Sequence, residues 1–368
     1  MASPNARPIT SPADFAGNHI ISISQFTTPA VISFLCDVAD LMATIVTKRG
    51  GCDLLRHRVL ANVFYEPSTR TSCSFASAMA RLGGSVLQVA EATSSAAKGE
   101  TLGDSARAFA CYSDIVVLRH PAVGAAAEAS TACPVPVLNA GDGVGEHPTQ
   151  ALLDLATIRR ELGGVAGATV TLVGDLKHGR TVHSLAKLLA LCGVKHVNYV
   201  APRAFFAAFL FTPCPTVPEL THPAPPPHTH TSRSPFSSAA ELSMPAELQA
   251  LLTSAGVTQA SLSDLSTAAA GSDVLYVTRV QKERFADAAA YERLKHAFVV
   301  TRDTMAAAKE KMIIMHPLPR VGEIAEEVDV DPRAAYFRQM RVGLHVRMAL
   351  LALCCGVTRE QVEAEAAR

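Results

Sequence analysis

The sequence predicts an α/β fold: two consecutive α/β domains with parallel sheets, and a C-terminal helix packing back on the first domain. Three observations carry this. Short Val- and Ile-rich runs bounded by Gly, Pro or Asp recur along the 368 residues, as strands covered on both faces do. Segments with apolar residues at i, i+3 and i+4 lie between several of them. The runs are too many for one sheet, and a chain of this length suits two domains.

In chain order, residues 1–18 open on Ala, Ser, Pro and Thr with one Arg (Arg7) and read as a flexible tail. No charged-then-apolar signal peptide stands there. Strands are expected at Val59–Phe64, Ser85–Val89, Asp114–Leu118 and Val135–Leu138. A second set is expected at Thr169–Val173, His196–Val200, Val274–Val277, Phe298–Val300 and Met312–Met315. Helical periods include Phe75, Ala78, Met79 and Leu82, then Ala151, Leu152, Leu155 and Ile158, then Val182, Leu185, Ala186 and Leu189. Residues 205–240 break the pattern. Eight of the 22 prolines fall between Pro213 and Pro235, and Glu219 and Arg233 are the segment's charges. That composition reads as a low-complexity insertion, disordered or a surface loop. Its His228 and His230 have no acidic or Cys partner nearby, so a solvated loop is the better reading than a metal site.

Composition removes whole classes of function. Lys plus Arg and Asp plus Glu are 33 each, so no basic excess suits a nucleic-acid backbone. Charged residues at 18% against 49% hydrophobic exclude a wholly disordered chain. No apolar run reaches the ~18 residues a bilayer needs, so no membrane partner is expected. The greasiest stretch, Met348–Val357, follows Arg341, His345 and Arg347. Nine Cys without a Cys-x-x-Cys pair read as reduced thiols of an intracellular, cytoplasmic protein.

Several motifs carry chemistry. Glu66-Pro67-Ser68-Thr69-Arg70-Thr71 follows a strand and opens a helical period. Three hydroxyls and a guanidinium at a helix N-terminus exceed what capping needs and suit phosphate. Ser94 to Thr101 is a small-residue loop with one Lys, Lys98, which by itself reads as solvated. Arg119-His120-Pro121 and His147-Pro148-Thr149-Gln150 stand just past strand ends, where open α/β sheets bind ligands. Gly141-x-Gly143-x-Gly145 lacks the spacing of a dinucleotide loop. Arg180 stands at a second strand-to-helix loop, and Arg279 and Gln281 share a face if their strand continues. Two separate Arg sites suit a small dicarboxylate. His316-Pro317-Leu318-Pro319-Arg320 sets a rigid turn with free carbonyls, in which an X-Pro bond can be cis.

Together these blocks resemble the aspartate carbamoyltransferase catalytic chain, from about His19 to Gly356, interrupted by the Pro-rich segment. Asp331-Pro332-Arg333-Ala334-Ala335-Tyr336-Phe337 is similar to that family's C-terminal stretch. The resemblance implies transfer of a carbamoyl group from carbamoyl phosphate to L-aspartate in de novo pyrimidine synthesis. It implies a carbamoyl-phosphate domain over residues 1–147, an aspartate domain over 148–335, and a returning helix over 336–368. It implies a homotrimer with active sites shared between copies, and no cofactor or metal; further pathway partners stay open. By the same resemblance, Ser68, Thr69, Arg70 and Thr71 hold the phosphate. Thr71, Arg119 and His147 polarise the carbonyl. Gln150 lies near the carbamoyl nitrogen, and Leu318 and Pro319 present carbonyls to it. Arg180, Arg279 and Gln281 bind aspartate. Ser94 and Lys98 belong to a loop given by a neighbouring copy, although Ala97 stands where the family often has a second Lys. An ornithine carbamoyltransferase shares the phosphate loop, but Pro317 and Arg279-x-Gln281 replace that family's usual residues. A catalytically silent homologue is the reading from another class.

Overall fold

The computed structural model describes residues 6–90, 99–201, 242–280 and 298–368. Four parallel strands form the first sheet: β1 (Val59–Phe64), β2 (Ser85–Ala90), β3 (Ile115–His120) and β4 (Val137–Asp142), in the order β2-β1-β3-β4. Five form the second: β5 (Thr169–Val173), β6 (His196–Val200), β7 (Thr258–Ser261), β8 (Val274–Val277) and β9 (Ile313–Met315), in the order β7-β6-β5-β8-β9. The central strands are buried almost throughout, which is why they read as continuous apolar runs.

Helix α1 (Pro29–Arg49) precedes β1, and further helices follow the strands: α2 (Thr69–Arg81), α3 (Leu102–Tyr112) and α4 (Ala125–Ala132) in the first sheet's crossovers, α5 (Pro148–Leu162) between the sheets, and α6 (Arg180–Leu191), α7 (Ala246–Ser254), α8 (Leu265–Gly271) and α9 (Arg302–Ala307) in the second sheet's crossovers. Two more close the chain, α10 (Tyr336–Cys354) and α11 (Arg359–Ala367), separated by Gly356 at φ +85°. The returning segment is therefore two helices rather than one. Helix α10 lies against α1, α2 and α5, and α11 lies against α1. The run Met348–Cys354 is buried completely or nearly so. Burying one such Leu or Met stabilises by roughly 1.5–3 kcal/mol.

Four sequence expectations need correction. Residues 6–18 are not a loose tail: Ile9 and Phe15 are fully buried, and the Asn18 amide donates to the carbonyls of Arg7 and Asp14. Phe298–Val300 is not a strand; Val300 makes one isolated bridge, to Ile324. The strand β7 was missed because Thr-Gln-Ala-Ser at a half-exposed sheet edge has no apolar run to mark it. The sequence reads as having no run long and apolar enough for a bilayer, yet among the described residues helix α1 passes by length and composition, at 21 residues and mean hydropathy 1.8. Its Val31, Leu35, Val38, Met42 and Ile45 are instead core residues. Thr28 caps its start by accepting from the Val31 N–H. The insertion at 205–240, with His228 and His230, lies outside the described residues.

Candidate active site

Each sheet reverses its winding once, β1 to β3 in the first and β5 to β8 in the second. Helices leave opposite faces there, so a crevice opens at the carboxyl ends of those strands. Most of the described motifs singled out above occupy these crevices. Glu66–Thr71 follows β1, and Arg119 and His120 end β3. Gly174–Arg180 follows β5, and Thr278 and Arg279 follow β8. Gly174, at φ +113°, brings the β5 loop so close that a Cβ would lie 2.2 Å from the Thr278 carbonyl oxygen. The two crevices share one cleft of about 540 Å3.

Three helices begin at this cleft, and none of the three is capped by a side chain. Ser68 precedes α2, His147 precedes α5 and Gly179 precedes α6, each without a side-chain hydrogen bond to the first turn. Elsewhere Thr28, Thr101, Asp264, Thr301 and Thr358 cap their helices in the ordinary way, while α4, α7 and α10 also start without a side-chain cap. The uncapped amides and positive dipole ends at the cleft favour anions. Arg70, Arg119, Arg180, Arg279 and Arg347 line it, against Glu66 as the carboxylate lining among the described residues. Glu66 lies 2.8 Å from Arg119 and 3.4 Å from Arg180, so it bridges the two sheets. Burial raises its carboxyl pKa, but Arg180 and Arg119 outweigh that and hold it below the usual value. Arg180 also donates to the Gly143 carbonyl and packs its guanidinium over Gly141, where a Cβ would sit 3.0 Å away.

Burial sets the protonation states. His147 is pushed well below the ordinary imidazole range by burial first, then by Arg180, Arg119 and Arg347. It is neutral at pH 7, and its Nδ1 has no partner among the described residues. Burial lowers Arg119 and Arg347 to about 10, so both remain cationic. Arg347, from α10, donates to Ser74 Oγ at 2.9 Å and stacks 5.1 Å above the Phe75 ring. His316 holds the turn after β9: its Nδ1 accepts from the Leu318 N–H at 2.8 Å, so Nε2 carries the proton toward Glu323 Oε1 at 2.7 Å. Within that turn Leu318 has φ +55° and the Leu318–Pro319 bond is cis.

Two family models match: the aspartate/ornithine carbamoyltransferase carbamoyl-P binding domain over residues 18–160, and the Asp/Orn binding domain over residues 229–354. The aspartate carbamoyltransferase catalytic subunit of Thermoplasma acidophilum is 45% identical over 86% of this chain and 92% of its own length. The chain belongs to the aspartate carbamoyltransferase family. Multifunctional protein pyr1-3 of Dictyostelium discoideum is 48% identical over 93% of this chain, which spans 14% of that larger protein. An aspartate transcarbamoylase from Trypanosoma cruzi, solved in complex with carbamoyl phosphate and aspartate, is 42% identical. It superposes with a TM-score of 0.79 over 93% of this chain and 98% of that one.

Within this aspartate carbamoyltransferase fold, Ser68, Arg70, Thr71, Arg119, His147, Gln150, Arg180, Arg279, Leu318 and Pro319 all line the one cleft. The Ser68 and Thr71 hydroxyls and the His147 imidazole thus share it. Thr69 is exposed at the start of α2 and is not among the lining residues. Ser94, Lys98 and Gln281 lie outside the described residues, and β8 ends at Val277, before Arg279. Sequence reasoning missed Glu66, Asp154, Gln339 and Arg347. Glu66 had a signal, a lone acid beside a cluster of donors. So did Asp154 and Arg347, charges within apolar helical stripes. Gln339 had none.

Proposed function

We propose that the chain transfers the carbamoyl group of carbamoyl phosphate to the α-amine of L-aspartate, giving N-carbamoyl-L-aspartate and phosphate for pyrimidine synthesis. The observation that carries this is the convergence of three uncapped helix starts and five guanidiniums on one cleft. The complexes of the T. cruzi relative with carbamoyl phosphate and aspartate, and with N-(phosphonacetyl)-L-aspartic acid, support it.

In this reading Ser68, Thr69, Arg70 and Thr71 hold the phosphate. The neutral amine attacks the carbonyl carbon, and charge builds on the carbonyl oxygen beside Thr71, Arg119 and His147. Neutral His147 donates a hydrogen bond there without adding a charge. As the C–O bond to phosphate breaks, the negative charge moves to the leaving group, which accepts the amine proton. Arg180, Arg279 and Gln281 take the aspartate carboxylates. Preorganised donors of this kind contribute about 3–4 kcal/mol each, and the remainder is positioning. Among the described residues, five cationic side chains against one carboxylate suit two anionic substrates and oppose the cationic side chain of ornithine.

The functional unit in this proposal is a homotrimer in which Ser94 and Lys98 complete a neighbour's site. Strand β2 supports it: it is an edge strand with Leu87 43% exposed, and it runs directly into residues 91–98. An exposed edge of this kind is a ready contact for another chain. The multifunctional relatives suggest further pathway partners, and the free state of the described cysteines supports a cytoplasmic setting. The test mixes two variants. Arg70→Ala and Lys98→Ala should each lower carbamoyl-aspartate formation, Arg70→Ala by about 100-fold or more. After subunit exchange the mixture should regain part of the lost rate, because one interface joins two intact halves. A mixture as inactive as its parts, with exchange verified by mass, contradicts the shared site. Near-wild-type turnover by Arg70→Ala contradicts the phosphate cradle.

A further inference from the structure

A buried polar cluster lies behind the cleft. Asp154, on α5, is 0% exposed. Three elements send it donors: Gln150 Nε2 at 2.8 Å and Gln339 Nε2 at 2.6 Å reach Oδ1, and the Tyr276 hydroxyl at 2.7 Å reaches Oδ2. Tyr276 comes from β8 and Gln339 from α10, so the carboxylate joins the second sheet to two long helices. Carboxylate oxygens only accept, so both amides turn their NH2 groups toward Asp154. That decides where the amide oxygens go. Gln339 Oε1 accepts the His316 N–H at 3.0 Å, at the root of the Leu318–Pro319 turn. Gln150 lines the cleft, and with its NH2 held by Asp154 its oxygen is the polar atom it offers there.

We propose that Asp154 is a positioning residue that makes the cleft select an NH2-bearing acyl group. It turns Gln150 so that an acceptor meets the nitrogen of the transferred group, and it ties that acceptor through Gln339 to the carbonyls of the 316–319 turn. The inference rests on the carbamoyl-transfer reading above. An acyl group with CH3 in place of NH2 has the same shape and charge but gives no hydrogen. It leaves the Gln150 oxygen and the turn carbonyls without a donor, and sites built around a hydrogen bond reject such analogues strongly. Burial raises the Asp154 pKa to about 7, while Tyr276, Gln339, Gln150 and Arg347 pull it down. Measurements at about pH 8.5 therefore read the ionised form.

The experiment compares phosphonoacetamide with acetonylphosphonate, which differ by NH2 against CH3, as inhibitors competitive with carbamoyl phosphate. Inorganic phosphate serves as the control for the phosphate cradle. The wild type should bind the amide at least about tenfold more tightly than the ketone. Asp154→Leu and Asp154→Ser, neither able to accept from both amides, should bring that ratio to within about threefold of unity while phosphate binding holds. Asp154→Asn keeps one acceptor oxygen and should retain most of the preference. Two variants of different size are made so that one folded protein suffices, with folding checked by circular dichroism and melting. A wild type without preference overturns the acceptor-facing Gln150. A folded Leu or Ser variant with the wild-type ratio overturns the role of Asp154. Carbamoyl-aspartate formation by the wild type is measured in parallel. Turnover together with an unchanged variant ratio condemns the positioning role and leaves the transfer reading standing; absent turnover condemns the transfer reading.

Discussion

His147 shows how burial and neighbouring cations choose a side chain's state. A proton on this imbalance-prone imidazole would sit buried among Arg180, Arg119 and Arg347, so the neutral form prevails. His345 follows the same rule on α10: burial, then Arg160, Arg341 and Arg81, lowers it to about 4. These histidines bind protons more readily unfolded than folded. Their contribution to stability is complete above the unfolded pKa of about 6.5 and is lost as pH falls toward the folded value. The melting temperature should therefore drop between about pH 6.5 and 4, and His345→Gln should flatten that drop. An unchanged slope in the variant would show that His345 is not part of it. At this scale the sequence revealed donors better than it revealed their supports. Arg70 and His147 stand in motifs whose spacing advertises a ligand. Asp154 stands four residues after Gln150 in a stretch of Leu, and its meaning depends on Tyr276 and Gln339, 122 and 185 residues away.

The helices and strands place these groups by their ends. Helices α2, α5 and α6 begin at the cleft and leave their first-turn amides without side-chain caps. Strand ends do the rest, and the close approach of β5 to β8 depends on Gly174. Gly174→Ala would set a methyl against the Thr278 carbonyl at a backbone angle that L side chains avoid. Overpacking and the positive φ together should cost about 3 kcal/mol or more, read as a lowered urea midpoint. A midpoint within error of wild type would show that the crossing is not tight. Val- and Ile-rich central strands such as β1, β3, β5 and β8 were legible because both their faces are buried. Strand β7 was not, since an edge strand is defined by its neighbour β6 rather than by its own apolarity. Phe298–Val300 shows the converse, an apolar run buried around Val300 without a ladder.

Two sheets face one cleft because α5 and α10 link them: α5 packs on β4 and bonds Tyr276 of β8, and α10 lies against α1, α2 and α5 and reaches β9. Gln150 and Asp154 sit on α5, Gln339 and Arg347 on α10, and Glu66 spans from the β1 loop to Arg180 of α6. The layout of parallel sheets was legible in the alternation of runs and periods. The joining of the sheets was not, because it is made by charges and amides that pair across the whole chain. The resulting cationic cleft decides which acceptor can enter. The most direct measurement is turnover by the purified chain with carbamoyl phosphate and either L-aspartate or L-ornithine as acceptor. Formation of carbamoyl-aspartate, with no detectable product from ornithine, is the predicted result. Absence of carbamoyl-aspartate at millimolar substrates, or a preference for ornithine, would contradict it.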